Sequence, residues 1–359
     1  MAAKPSPIMA ALASALSAGP AKHRGDAFHS PRKQDYFYPT KDGGWQSTPA
    51  SQIPSPTYSE PAINPTAVRL ISWNIDILVD FGKERMQAAL EHLNSLIVST
   101  PTDVAVVVFL QEMSVADLEQ IRDSKWINQR FNLTELDSKN WLSPHYGTTA
   151  LVDRRLTIKT VFRVPFVSIF DRDGLFIDVG LSNSQFPSSG DKVLRLCNTH
   201  LESLVADPPV RPVQLKAASK YLQEAEVACA LLAGDLNAIQ PFDLTLYSEN
   251  GLKDTFLELG GADGTEEGYT WGQQVPQWMK EKFGSSRMDK ILLNGDIQPK
   301  TFERIGVNVR VAQEHRAKMK EAGQDDWVTD HYGVMGDFEL TGGWTLQTQH
   351  SDGVKPKLA

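Results

Sequence analysis

The 359-residue sequence predicts a layered α/β body, in which helices cover one sheet or two stacked ones. Three observations carry that reading. Short β-branched runs recur from Val68 onward, several apolar almost without interruption, as strands covered on both faces are. Helical patterns lie between them, with no internal repeat. Hydrophobic residues make up 41% and charged ones 22%, enough apolar material for a large core and too much for a disordered or fibrous chain.

Residues 1–66 hold ten of the 21 prolines and read as a disordered Pro/Ala/Ser-rich arm, in which Tyr36, Phe37, Tyr38 and Trp45 are the residues able to dock on the body. Its first 25 residues carry no Asp or Glu. A disordered leader is favoured over a mitochondrial transit peptide, and the Ala-rich middle does not make a secretory signal. Strands are expected at 68–75 (VRLISWNI), 104–110 (VAVVVFL), 149–152, 166–170, 175–181, 193–197, 230–232, 290–293 and 332–340. Helices are expected at 84–98, where Met86, Leu90, Leu93 and Ile97 form one apolar stripe, and at 115–131 and 213–228. Residues 67–346 therefore read as one catalytic-sized domain and 347–359 as a flexible tail.

Composition also excludes. No run approaches the roughly 18 apolar residues of a spanning helix. Cys197 and Cys229 have neither metal-type nor redox spacing, so buried free thiols are expected, and with them an intracellular protein. The net charge is −8, and the arm's six basic and four acidic residues leave −10 on the remainder. An acidic body argues against coating duplex DNA, but carboxylates gathered round a cation also count in that sum.

Polar residues fall at the ends of the apolar strands: Asn74 and Asp76, Gln111 and Glu112, Asn198, His200 and Glu202, Asp235 and Asn237, with Asp330 and His331 just before the last run. Ligands of open sheets sit outside strand ends, where side chains escape the packed layers. Each residue alone has a turn-closing explanation. Turns do not require Glu112 after seven apolar residues, nor a His flanked by Asn and Glu. Carboxylates with a carboxamide form a hard-oxygen site for Mg²⁺, with Mn²⁺ as substitute, rather than zinc. Two histidines and a second Asp then supply what phosphoester hydrolysis needs: an oriented water, positive charge on phosphorus oxygens, and a stabilised leaving group.

The ordered motifs Ser72-Trp73-Asn74-Ile75-Asp76, Leu110-Gln111-Glu112, Thr199-His200-Leu201-Glu202-Ser203, Gly234-Asp235-Leu236-Asn237, Arg287-Met288-Asp289 and Thr329-Asp330-His331 resemble the endonuclease/exonuclease/phosphatase superfamily over about 68–340. The resemblance implies a four-layered α/β sandwich, two stacked mixed sheets flanked by helices. It implies Glu112 as principal metal ligand, with Asn74 and Asp330; Asp235 orienting the water; Asn237 and His200 on the phosphate; and His331, oriented by Asp289, on the pentacovalent phosphate.

Within that superfamily the chain looks most similar to 5′-tyrosyl-DNA phosphodiesterases. That branch implies a nuclear or cytoplasmic DNA-repair nuclease, acting as a monomer on DNA 5′ ends, with Asp76, Glu202, Ser203 and Arg211 among its substrate-binding residues. Lys216, Arg154 and Arg155 are further phosphate candidates, and Trp271 is a candidate stacking platform for an unpaired base, or else an aromatic packed on the core. Two positions depart from the branch: Asp207 replaces a His, and Ala238-Ile239-Gln240 replaces a Leu-Arg-Asp run. The residues also leave open a deadenylase-like or other RNA nuclease, a small-molecule phosphatase and an inactive binding module.

Overall fold

Alternation within each strand builds the layers. The computed structural model describes residues 28–48, 62–184 and 191–349. One mixed sheet runs, in spatial order, β1 (Arg32–Gln34), β8 (Ile158–Pro165), β9 (Asp173–Asn183), β10 (Val193–His200), β11 (Val227–Asp235), β13 (Asp289–Gly295) and β12 (Lys253–Asp254), with β17 (Trp344–Leu346) also on β9. The other runs β14 (Ile297–Pro299), β16 (Gly333–Leu340), β4 (Ala67–Asn74), β5 (Ala105–Met113), β7 (Gly147–Asp153), β6 (Phe131–Leu133), β2 (Tyr36–Pro39) and β3 (Trp45–Thr48), with β15 (Glu303–Ile305) on β16.

Leu70, Val107 and Phe109 meet Ile177, Leu196 and Leu231 between the sheets. The alternate residues Ile71, Val106, Val108 and Leu110 face outward, under α1 (Gly82–Ser99), α2 (Val115–Asp123) and α3 (Lys125–Arg130). On the other side Cys197, Ala230 and Leu232 face α4 (Arg211–Leu222) through Leu215, Ala218 and Leu222. The order helix, sheet, sheet, helix is the four-layered sandwich expected, and a strand's two-residue period is why near-continuous apolar runs are needed. Met86, Leu90, Leu93 and Ile97 are all buried against the outer sheet face, as their spacing predicts. Both cysteines are buried and free.

Several elements differ from expectation. Residues 28–48, expected as part of the disordered arm, supply β1 at an edge of one sheet and β2 and β3 at an edge of the other, with Tyr36 buried between the sheets. Of the rest of the arm, 1–27 and 49–61 lie outside the described residues, as do 350–359 of the tail. Gln347, the tail's first residue, bonds Leu181 and Gly180. No strand forms over 166–170; the strand is β8 just before it, and the apolar segment is a loop tied by Ser168. The helix expected over 115–131 breaks at Ser124, which ends α2 and starts α3. The helix expected to reach 228 ends at Leu222, and the remaining residues turn into β11. No helix among the described residues is long and apolar enough to cross a membrane.

Candidate active site

The sheet topology brings the strand ends to one edge. β4 and β5 run parallel, their shared ladder closing at Asn74 opposite Gln111; β10 and β11 run parallel and end at His200 opposite Asp235. β13 and β16 run the other way and begin there, so Asp289 lies opposite Asp235 and His331 stands two residues before β16. Just beneath, Gln111 donates to Ser72 and Asn198, while Asn198 donates to the Leu110 and Thr149 carbonyls, bolting the two sheets together.

Three site residues hold left-handed backbone conformations: Asp76 (φ 58°), Glu112 (56°) and Asn237 (48°). Asn and Asp tolerate that region through local hydrogen bonds, but a Glu there is strained. The β5–β7 register breaks between Leu110 and Met113, so Glu112 occupies a bulge that turns its carboxylate out of the sheet and into the cleft. Strain of this kind persists where the surroundings over-determine it.

Glu112 and Asp235, far apart in sequence, share one imidazole: His200 Nε2 lies 3.8 Å from Glu112 Oε1 and 3.3 Å from Asp235 Oδ2. Asn74 Nδ2 donates to Asp235 Oδ2 (3.0 Å), and the Asn237 backbone N–H donates to Asp235 Oδ1 (2.8 Å), which fixes that carboxylate. On the opposite side His331 Nε2 is 3.7 Å from Asp235 Oδ2 and 3.8 Å from Asp330 Oδ1. His331 Nδ1 bonds Asp289 Oδ2 at 2.8 Å.

The two imidazoles are driven apart in protonation. Burial lowers His200 well below the ordinary histidine value, and the nearby charges of Arg172 and His331 add to it. Burial also works against charge on His331, but Asp289, Asp235 and Asp330 outweigh it and hold His331 well above that value. Asp289 itself is pushed up to about 6, mainly by burial. Arg172 Nη1, which can only donate, lies 2.8 Å from His200 Nδ1; that nitrogen therefore accepts, and the proton of the neutral ring sits on Nε2. That buried Nε2 has no hydrogen-bond partner and faces the cleft.

Asp235, Asp289 and His331 place one ligand atom each within 4.8 Å of one another. Within this trio His331 commits Nδ1 to Asp289, which leaves Nε2 as the ring nitrogen that can meet a ligand. Asp76, Glu112 and Asp330 form a second acidic set, all of whose donors are oxygens. Burial raises Asp76, reinforced by Asp330 and Glu112, and burial raises Glu112 as well. A divalent cation among these oxygens would relieve both penalties, and the hard donor set suits Mg²⁺ or Mn²⁺. Asn74, expected as a ligand, accepts the Asp76 N–H on its carbonyl oxygen and uses its amide on Asp235, so its visible work is orientation.

Other expected contacts are absorbed into the framework. Arg211 is buried, pairs through two nitrogens with Asp243, and donates to the Glu202 and Leu204 carbonyls; its partner lies outside any local motif. Glu202, 1% exposed, spends its carboxylate on Ser168, the Ile169 N–H and Gln214, holding the 166–170 loop. Trp271, 8% exposed, donates its indole N–H to Asp330 Oδ2 (2.7 Å), so it steadies a carboxylate instead of offering a ring face. Arg154 and Arg155 sit with Thr102 and Val104 at the opposite end of β5. Lys216 is exposed on α4. Asn237 keeps one amide N–H on the Leu201 carbonyl and has a second to offer. Ser203 accepts from Arg172 Nη2 and keeps its hydroxyl proton.

Sequence reading missed Arg172, which packs over the Tyr146 and Phe170 rings and, with Tyr146, Leu142 and His200, lines a small cleft beside Glu112. Set between Asp171 and Asp173, it looks like solvated charge; its place just before β9 was the available signal.

No match to this chain is found among curated proteins. Among solved structures, TDP2 of D. rerio complexed with a single-strand DNA product aligns with a TM-score of 0.56 at 21% identity, covering 76% of this chain and 99% of that one. Truncated TDP2 of Caenorhabditis elegans gives 0.55 at 19%, covering 76% and 98%. An endonuclease/exonuclease/phosphatase of Beutenbergia cavernae gives 0.51 at 17%, covering 77% and 72%. At such identities the likeness is one of fold. Residues 71–331, a span that begins in β4 and closes on His331, match the Endonuclease/Exonuclease/phosphatase family, and the chain belongs to that family, whose named activities all break phosphate esters.

Proposed function

We propose that the chain is a divalent-cation-dependent phosphodiester hydrolase acting on nucleic acid, with a 5′-phosphotyrosyl DNA end as its favoured substrate. The carrying observation is the meeting of Glu112 and Asp235 at His200 Nε2, opposite a His331 whose Nδ1 is bonded to Asp289. Glu112, Asp330 and Asp76 would hold a Mg²⁺ or Mn²⁺ ion, which when bound supplies positive charge to the phosphate and its leaving oxygen.

The chain's own groups do the rest. Asp235, held by Asn74 and the Asn237 N–H, accepts a proton from the attacking water. His331 Nε2–H, with Nδ1–H on Asp289, donates to a phosphate oxygen from one side; His200 Nε2–H donates from the other. Both act within a water-poor cleft, where such bonds are strong. Arg172 fixes the His200 tautomer and adds charge. Asn237 and Ser203 have one donor each to spare.

The 5′-adduct preference rests on the motif set together with the fold shared with TDP2, one structure of which holds a single-strand DNA product. A specific observation favours testing a second reading, a phosphodiester with an apolar portion. Leu204, Val205 and Leu244 stand 53%, 68% and 50% exposed, and the Leu204 carbonyl accepts from Arg211. The test is a substrate panel with Mg²⁺, Mn²⁺ or chelator: a 5′-phosphotyrosyl oligonucleotide, oligo(A), abasic duplex and a phosphoinositide. Expected is divalent-dependent release of tyrosine, lost in Glu112→Gln and Asp235→Asn. Cleavage that survives both substitutions, or no cleavage of any phosphodiester, overturns the assignment.

A further inference from the structure

Asp76 and Asp330 belong to different loops, one after β4 and one before β16. The ladder between β4 and β16 stops at Ser72 opposite Val334, before either loop begins. Thr329 Oγ1 on the Asn74 carbonyl (3.0 Å) is one tie between them. A second comes from behind, from the first turn of α1.

Arg85 is 3% exposed. Its Nε donates to the Asp80 carbonyl (2.8 Å) in the loop that follows Asp76. Its Nη2 donates to the Asp325 carbonyl (2.7 Å) and its Nη1 to that of Trp327, in the loop that leads to Asp330. A buried guanidinium is costly unless its donors are satisfied, and here three point along its planar fork at three carbonyls of two loops. Burial lowers its pKa, and Asp76 is foremost among the carboxylates opposing that, followed by Asp325 and Asp330. The clasp therefore lies within electrostatic reach of the two aspartates whose loops it joins. A lysine could keep the charge but has no fork with which to hold both loops.

We propose that Arg85 is a positioning residue for the cation site: by clasping the loop after β4 to the loop before β16, it sets the spacing of Asp76 and Asp330 and thereby the site's affinity for a divalent cation. This rests on the assignment of Asp76, Glu112 and Asp330 as the cation group.

The experiment titrates Mg²⁺ and Mn²⁺ into the full-length chain, reading the rise in melting temperature and, for Mn²⁺, the loss of its free-ion EPR signal, without substrate. Wild type is compared with Arg85→Lys, Arg85→Met and Leu93→Ala. The last empties a fully buried position of the same helix and serves as a control for lost stability alone. Expected is a cation half-saturation raised about tenfold in Arg85→Lys and further in Arg85→Met, with Leu93→Ala melting lower at an unchanged half-saturation; tenfold corresponds to about 1.4 kcal/mol. Arg85 variants that melt lower but keep the wild-type half-saturation overturn the proposal and leave the cation site standing. Should Arg85→Met fail to fold, Arg85→Lys decides by the same criterion. A wild-type chain that binds neither cation removes the cation site and the clasp's role together.

Discussion

Replacing Glu112 by glycine or by alanine removes the same carboxylate, yet the two variants should differ in stability in the direction opposite to that of an ordinary strand. Glycine inside a strand normally costs about 0.5–1 kcal/mol relative to alanine. At φ 56° any residue with a Cβ carries roughly 1–2 kcal/mol of left-handed strain that glycine escapes. The balance leaves Glu112→Gly more stable than Glu112→Ala by about 0.5–1 kcal/mol, or about 1 °C in melting temperature for a chain of this length. Thermal melts of both variants in chelator, followed by circular dichroism, measure it. Both should be inactive. If Glu112→Ala melts higher, the backbone there is not left-handed, and the bulge that aims the carboxylate into the cleft is refuted.

Gly234 tests the other half of the site. A Cβ there would lie 1.7 Å from the Thr199 carbonyl oxygen, so Gly234→Ala must push β10 from β11 and part His200 from Asp235; a loss of about 3 kcal/mol or more and at least 100-fold in turnover is expected, against a null result of wild-type melting. Asp289→Asn removes the foremost carboxylate raising His331, so the ring's pKa, followed by imidazole NMR, should fall; no change would detach Asp289 from that role. The charge on His331 contributes stability that is complete below its unfolded value near 6.5 and lost as pH rises through its raised folded value. The deficit of Asp289→Asn should accordingly narrow above that folded value. Glu202→Ala strands Ser168, the Ile169 N–H and Gln214 and should cost about 3 kcal/mol with KM unchanged; a raised KM at unchanged stability would return Glu202 to the substrate.

Residues whose position has no turn-forming reason were the legible ones. Glu112 after an unbroken apolar run, and His200 between Asn198 and Glu202, need no partner in view to stand out. The layers were legible as well, since strands such as β5 are apolar on both faces. Arg211 and Glu202 were misread because a buried pair and a phosphate contact look identical in one dimension: Asp243, Ser168 and Gln214 lie 32, 34 and 12 residues from their partners. Trp271 was misread for the same reason, its acceptor Asp330 lying 59 residues on. The strands within 28–48 are short edge strands amid prolines and serines, and their partners β8 and β6 lie about a hundred residues downstream. Arg172 and Arg85 act through geometry alone, one on an imidazole and the other on three carbonyls, and neither leaves a pattern along the chain.

Crystals soaked in Mn²⁺, with the ion located by its anomalous scattering, test the convergence of carboxylates most directly. The proposed assignment expects the peak on a Glu112 oxygen, with Asp330 or Asp76 around it directly or through water. A peak held instead by Asp235, Asp289 and His331, or none at the edge where β4, β5, β10 and β11 end, would contradict it.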